Sequence, residues 1–160
     1  MQTAEPPLLN TGNPLRGALQ NVAILAGLDD SALALLAERI IENNAPAQSV
    51  ILREGDVGNR FFLIQGGAVR VCKNFGQPNE VELVRLGKGD FFGEMCILET
   101  LPRSATVQAT EDATLYSLSS IVFYQLYESL PRQYGILLVN IARDLSRRLR
   151  HLDEVFAGRH

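Results

Sequence analysis
From residue 28 to residue 41 the apolar positions keep a helical step. Leu33, Leu36, Ala37, Ile40 and Ile41 form one stripe, and Asp29 or Asp30 ahead of them suits an N-cap. The stripe is the face such a helix packs on a sheet. Residues 15–26 read as an earlier helix that ends near Gly27. From Ala45 the period shortens. Strands are expected over 49–53, 61–65, 68–73 and 80–86, separated by turn clusters rich in Gly, Asn and Asp at 54–59, 66–67, 74–79 and 87–90. Further strands are expected at 107–109 and 113–118. Ser119 and Ser120 then suit the N-cap of a helix to Leu130, and Pro131 breaks that helix or starts the next. A last helix is expected over 132–156. Residues 1–13, with Pro6, Pro7 and Gly12 and no apolar period, read as a flexible tail. Residues 14–160 read as a single domain.

These elements predict an α+β fold that is mainly β. Short antiparallel strands with Gly-rich corners point to a β-roll, a jelly-roll-like barrel, flanked by N-terminal helices and two C-terminal helices.

Composition changes this picture little. A chain of 160 residues with 46% hydrophobic and 21% charged residues suits a globular domain with its own core. A net charge of −3 gives no general attraction to nucleic acid or anionic membranes. Two cysteines, Cys72 and Cys96, make no disulfide framework and read as reduced thiols. No stretch is apolar enough to span a membrane, and the start lacks the form of a signal peptide, so a cytoplasmic location is expected.

Candidate chemistry concentrates in residues 91–109. Gly93 leads into a very short helix bracketed by Glu94 and Arg103, and Ser104, Ala105, Thr106 and Val107 then suit a strand. Unpaired N–H groups at the start of a helix attract an anion, and Gly93 lets a ligand approach the main chain. Arg103 offers a planar fork to two phosphate oxygens. Glu94, an acceptor when ionised, wants a donor such as a sugar hydroxyl. The three together describe a site for a phosphate attached to a ribose.

The run Phe92-Gly93-Glu94-Met95-Cys96-Ile97-Leu98, followed by Pro102-Arg103-Ser104-Ala105-Thr106-Val107, resembles the phosphate-binding cassette of cyclic nucleotide-binding domains. The resemblance extends from about Leu15 to Phe156. It implies that Arg103 holds the cyclic phosphate and Glu94 the ribose 2′-hydroxyl, with Gly93, Met95, Cys96, Ser104 and Ala105 around them. Cys96 stands where many members carry Ala, as it does in channel members, and Gln48 where many have Gly. Ser104 leans towards cAMP over cGMP. Leu83 and Val84, on the strand before the cassette, and Leu152, where family members cap the purine, are the expected base contacts. The resemblance further implies a regulatory sensor. Phosphate orders the cassette, the cassette moves a hinge near Leu130 and Pro131, and the last helix closes over the base. An unidentified effector protein would read that movement.

Glu94 and Arg103 could pair with each other, leaving a ligand-free domain that acts as a protein-interaction scaffold. Leu138, Ala142, Leu145, Leu149, Leu152 and Phe156 form a heptad-like seam that is either a homodimer interface or packing on the chain's own barrel. Arg143, Arg147, Arg148 and Arg150 make the last helix basic, but Asp144, Asp153 and Glu154 interrupt them, and no helix-turn-helix follows His160. No nucleic acid and no membrane are therefore expected as partners. Only His151 and His160 could serve a metal, and no nucleophile–base pairing stands out. Neither a metal nor catalysis is expected.

Overall fold
The computed structural model describes residues 14–20 and 22–158, so the expected tail over 1–13 lies outside the described residues. The fold is mainly antiparallel β. Its strands are β1 (Ile41–Ala45), β2 (Val50–Leu52), β3 (Arg60–Gly66), β4 (Ala68–Lys73), β5 (Val81–Gly87), β6 (Phe91–Phe92), β7 (Thr106–Ala109) and β8 (Ala113–Ser119). They form two four-stranded sheets, ordered β1-β8-β3-β6 and β2-β7-β4-β5. The helices are α1 (Pro14–Gln20), α2 (Asp30–Arg39), α3 (Met95–Leu98), α4 (Ser120–Ser129) and α5 (Pro131–Ala157).

The apolar run Phe61-Phe62-Leu63-Ile64 explains why the first sheet is sandwiched. Successive residues of a strand face opposite ways, so an unbroken apolar strand must be covered on both faces. Phe62 and Ile64 point into the roll with Val69, Leu86, Phe92, Val107 and Leu115. Phe61 and Leu63 point the other way, onto Leu36, Phe123, Leu126, Leu137 and Ile141 of the helices. Phe91 and Phe92 split in the same manner between the two clusters. Each such side chain, fully buried, contributes about 1.5–3 kcal/mol.

Several elements differ from expectation. The helix foreseen over 15–26 is broken. After α1, Val22 is extended, and only a 3-10 turn over Ala23–Leu25 follows. The break lets Val22, Ile24 and Leu25 all reach the core, and Asn140 Nδ2 donates to the Ile24 and Ala26 carbonyls at 2.9 and 2.8 Å. Asp29 is the N-cap of α2, accepting from the Ala32 N–H at 2.9 Å. That helix stops at Arg39. Ile40 is extended, and Ile41, 48% exposed, opens β1 rather than ending the stripe. The sequence Ile-Glu-Asn-Asn-Ala has no alternation to announce a strand, and the ladder with β8 decides it. The two-residue β6 was likewise not foreseen; it pairs with β3, and Phe92 stacks on Phe62 at 5.0 Å. Gln48 adopts φ of +70°, the left-handed turn conformation that favours Gly. Its N–H and carbonyl are both bonded, to the Ala109 carbonyl at 2.8 Å and the Gln108 side chain at 2.9 Å. Pro131 starts α5, where its missing N–H costs nothing.

Candidate functional site
The mouth of the roll gathers β2, β4, β5, α3 and the start of β7 around a pocket of about 100 Å³. Gly93, Glu94, Met95, Cys96, Arg103, Ser104, Ala105 and Val84 all line it. Leu52, Val71, Phe92 and Val107 supply its apolar wall. Leu83 and Leu152 do not line it. Leu83 is the extra residue of a bulge, since Val71 pairs with Val84 while Cys72 pairs with Glu82, and it is 40% exposed. Leu152 lies on the outer part of α5, 37% exposed.

Gly93 has φ of +80°, which an L side chain adopts only with strain, and a Cβ there would sit 2.9 Å from the Arg60 carbonyl. Glu94 follows as the N-cap of α3, and the Cys96 and Ile97 N–H groups return to the Gly93 and Glu94 carbonyls. Glu94 is 6% exposed. Burial pushes its carboxyl above the usual carboxylate range, against the pull of its own N–H and of Arg148 and Arg103, while Asp144 adds to the rise. Burial also raises the Cys96 thiol, with Arg103 beside it pulling the other way. A thiol so placed stays protonated and packs as a small apolar group.

Arg103 is tied to the loop before β3 by its main chain. Its N–H donates to the Asp56 carbonyl at 2.8 Å, and its carbonyl accepts from the Gly55 N–H at 2.8 Å. Its guanidinium donates to the Arg60 carbonyl at 2.8 Å and the Gly93 carbonyl at 3.3 Å. Its Nε, out of solvent, has no acceptor among the described residues. Among these residues no ion pair joins Arg103 to a carboxylate. The cation beside Glu94 is Arg148 instead, with Nη1 3.7 Å from Oε1.

Arg148, which the sequence offered only as one of four arginines on a basic helix, also lines the pocket. From α5 it donates to the Phe91 carbonyl at 3.0 Å, lies 4.8 Å over the Phe91 ring, and stands 2.7 Å from Asp144. A run of arginines among acidic residues says nothing about which of them turns inward. Arg148 faces Glu94 and Asp144, which leaves Arg103 as the guanidinium in the lining with no carboxylate within ion-pair distance among the described residues, suited to an anion, while Glu94 suits a hydroxyl donor. No group of three or more His, Cys, Asp or Glu able to hold a metal occurs among the described residues, and no helix among them is long and apolar enough to cross a membrane.

Comparison with known proteins shows the family. The family model described as the cyclic nucleotide-binding domain matches residues 42–129. The chain is 35% identical over 108 residues to a cAMP-dependent protein kinase regulatory subunit of Schizosaccharomyces pombe, covering 68% of this chain and 25% of that protein. It is 35% identical over 124 residues to a cyclic AMP receptor protein of Thermus thermophilus, covering 78% of this chain and 54% of that one. The chain thus spans between a quarter and about half the length of these relatives, by name a regulatory subunit and a receptor protein. In fold it is similar to a cyclic nucleotide-binding domain from Methylobacillus flagellatus, with TM-score 0.78 and 23% identity, covering 91% of this chain and 82% of that one. The chain belongs to the cyclic nucleotide-binding domain family.

Proposed function
We propose that this chain senses a cyclic nucleotide, cAMP in the first place, and hands the signal to a partner protein through α5. The observation that carries the reading is Arg103. Its guanidinium is fixed at the pocket by two carbonyls, is paired with no carboxylate among the described residues, and keeps a buried Nε–H without an acceptor. A cyclic phosphate supplies acceptors, and the ribose 2′-hydroxyl supplies the donor that Glu94 lacks. Ser104, exposed beside Arg103, and the cAMP in the names of the two relatives favour cAMP over cGMP. Gly93, Met95, Cys96 and Ala105 complete the cradle, and Val84 meets the base. The scaffold alternative rests on Glu94 and Arg103 neutralising each other, and the geometry does not support it, because Glu94 has Arg148 as its neighbour.

Ligand pockets ordinarily measure roughly 300–1,000 Å³, so a pocket of about 100 Å³ has to open for a nucleotide. The joint for that movement is Leu130, with φ of −138° and ψ of 64° between α4 and α5. Arg148 ties α5 to the cassette, so a ligand that competes for Glu94 shifts the helix, provided it prefers the shifted state. Leu152 would then come over the base. Leu149 and Phe156, 59% and 64% exposed, support a second copy of the chain as one partner along α5. The mixed charges of that helix give no support to nucleic acid as another. Neither a metal nor a catalytic step belongs to the proposal.

Calorimetric titration of the purified chain with cAMP and with cGMP, without added metal, tests the reading. Binding of cAMP is expected. No heat and no melting shift with either nucleotide at millimolar concentration removes it.

A further inference from the structure
We infer that Gly58 is a positioning residue for Arg103, and that the loop before β3 is the holder of the phosphate-binding guanidinium. The inference rests on the reading that Arg103 receives the ligand phosphate, and extends it to a residue outside the cassette.

Gly58 lies 45 positions before Arg103 and lines no part of the pocket. A Cβ built on it would nevertheless stand 2.7 Å from Arg103 Nη2, 3.0 Å from Nε and 3.2 Å from Cζ. These are the three nearest atoms, and all belong to one guanidinium. The same group is also met by Gly93, whose Cβ would be 3.1 Å from Nη1. The guanidinium therefore occupies a slot open only because neither neighbour has a side chain. At the end of the slot the Arg60 and Gly93 carbonyls accept two of its hydrogen bonds. The same loop grips the Arg103 main chain through Gly55 and Asp56.

Gly58 differs from Gly93 in one useful respect. The backbone at Gly93 is left-handed, whereas Gly58 has no positive φ, so an L residue there avoids the left-handed strain. The nearest contacts of a Gly58→Ala methyl are all with the guanidinium. The long side chain yields more readily than the main chain, and in yielding it leaves its two carbonyl anchors. A guanidinium carries five N–H donors, so the phosphate can be received on the remaining ones while both anchors stay. Displacement costs the site its preorganised fork.

The test is titration of the parent, Gly58→Ala and Val57→Ala with cAMP and with its two phosphorothioate diastereomers, each of which replaces one exocyclic oxygen by sulfur. Val57, 87% exposed in the same loop, is the control and should bind as the parent does. A fixed fork distinguishes the two diastereomers. In Gly58→Ala the cAMP affinity should fall at least about tenfold, with an unchanged melting temperature, and the ratio between diastereomers should shrink towards one. In the Arg103→Lys background, which lacks the Nη atoms, Gly58→Ala should cost less than about twofold. That arm decides the matter if the single variant folds poorly. Unchanged or tighter cAMP binding in Gly58→Ala overturns the inference. So does equal weakening of both diastereomers, or an equal loss in the Lys background. A parent that binds neither cAMP nor cGMP removes the functional reading along with this one, whereas a binding parent with an indifferent Gly58→Ala removes this one alone.

Discussion

At the scale of the residue, the proposed function rests on Arg103 and Glu94, and each has a distinct expected signature. If Arg103 holds the phosphate as proposed, Arg103→Ala removes a charge-assisted partner and should cost about 2–5 kcal/mol of binding. Arg103→Lys should also bind poorly, because an ammonium cannot hold the Arg60 and Gly93 carbonyls and a phosphate with one planar fork. Affinities from calorimetry decide both. Glu94 is tested on the ligand side by 2′-deoxy-cAMP, which should bind the parent more weakly by about 1.5–3 kcal/mol and lose that penalty in Glu94→Ala. On the protein side the test is pH. Burial raises the Glu94 carboxyl above its ordinary value of 4.5, so the native state holds this proton more tightly than the unfolded chain does. This contribution to stability is complete below 4.5 and is lost as pH rises through the higher folded value. Glu94→Gln, which cannot ionise, should therefore melt above the parent at pH 7, with the gap closing as pH falls below that range. Melts across pH without ligand read the effect, and a gap that widens in acid contradicts it.

At the scale of the element, α5 is held at two places by two kinds of contact. Its first turns are fixed to the N-terminal segment. Asn140 donates to the Ile24 and Ala26 carbonyls, Gln133 accepts from the Asp29 N–H at 2.7 Å, and Leu137 and Ile141 are buried. Further along, Arg148 is the hold on the cassette, through the Phe91 carbonyl and ring. Arg148→Ala should cost about 1.5–3 kcal/mol of stability, the worth of a hydrogen bond made by a charged donor. Faster hydrogen exchange should appear over 142–157 and leave 131–141 protected. Arg147→Ala, at an exposed neighbour with no such contacts among the described residues, is the control and should change nothing beyond about 0.5 kcal/mol. Uniform exchange along α5 in both variants speaks against a separate hold at Arg148.

At the scale of the whole molecule, the seam read along the last helix divides between two uses. Leu145 packs on the chain's own core, so Leu145→Glu reports folding rather than association. Ala142, Leu149 and Phe156 stay outside that core. If a second copy covers them, the parent sediments as a dimer, and Leu149→Glu sediments as a monomer with its melting temperature kept. A parent that remains a monomer at high concentration removes this partner.

Taken alone, the sequence determined most of the cassette and of the roll. Gly93, Glu94, Arg103 and Ala105 are close along the chain, so their spacing already constrains their geometry. The strands β3, β4, β5 and β8 were legible because alternation, apolar runs and Gly-rich turns are local signals. Tertiary structure alone decided what depends on a distant partner. The strand β1 exists through its ladder with β8, and β6 through Phe62 and Leu63. Val22 breaks a helix because three core residues must turn inward together. A bulge sets Leu83 outside the pocket, and a rotation that no local pattern records sets Arg148 inside it. Gly58 meets Arg103 only because β3 and the cassette fold back on one another. Local propensity acts over a few residues. Burial and hydrogen-bond pairing act across the whole chain, and where the two conflicted here, pairing and burial set the outcome.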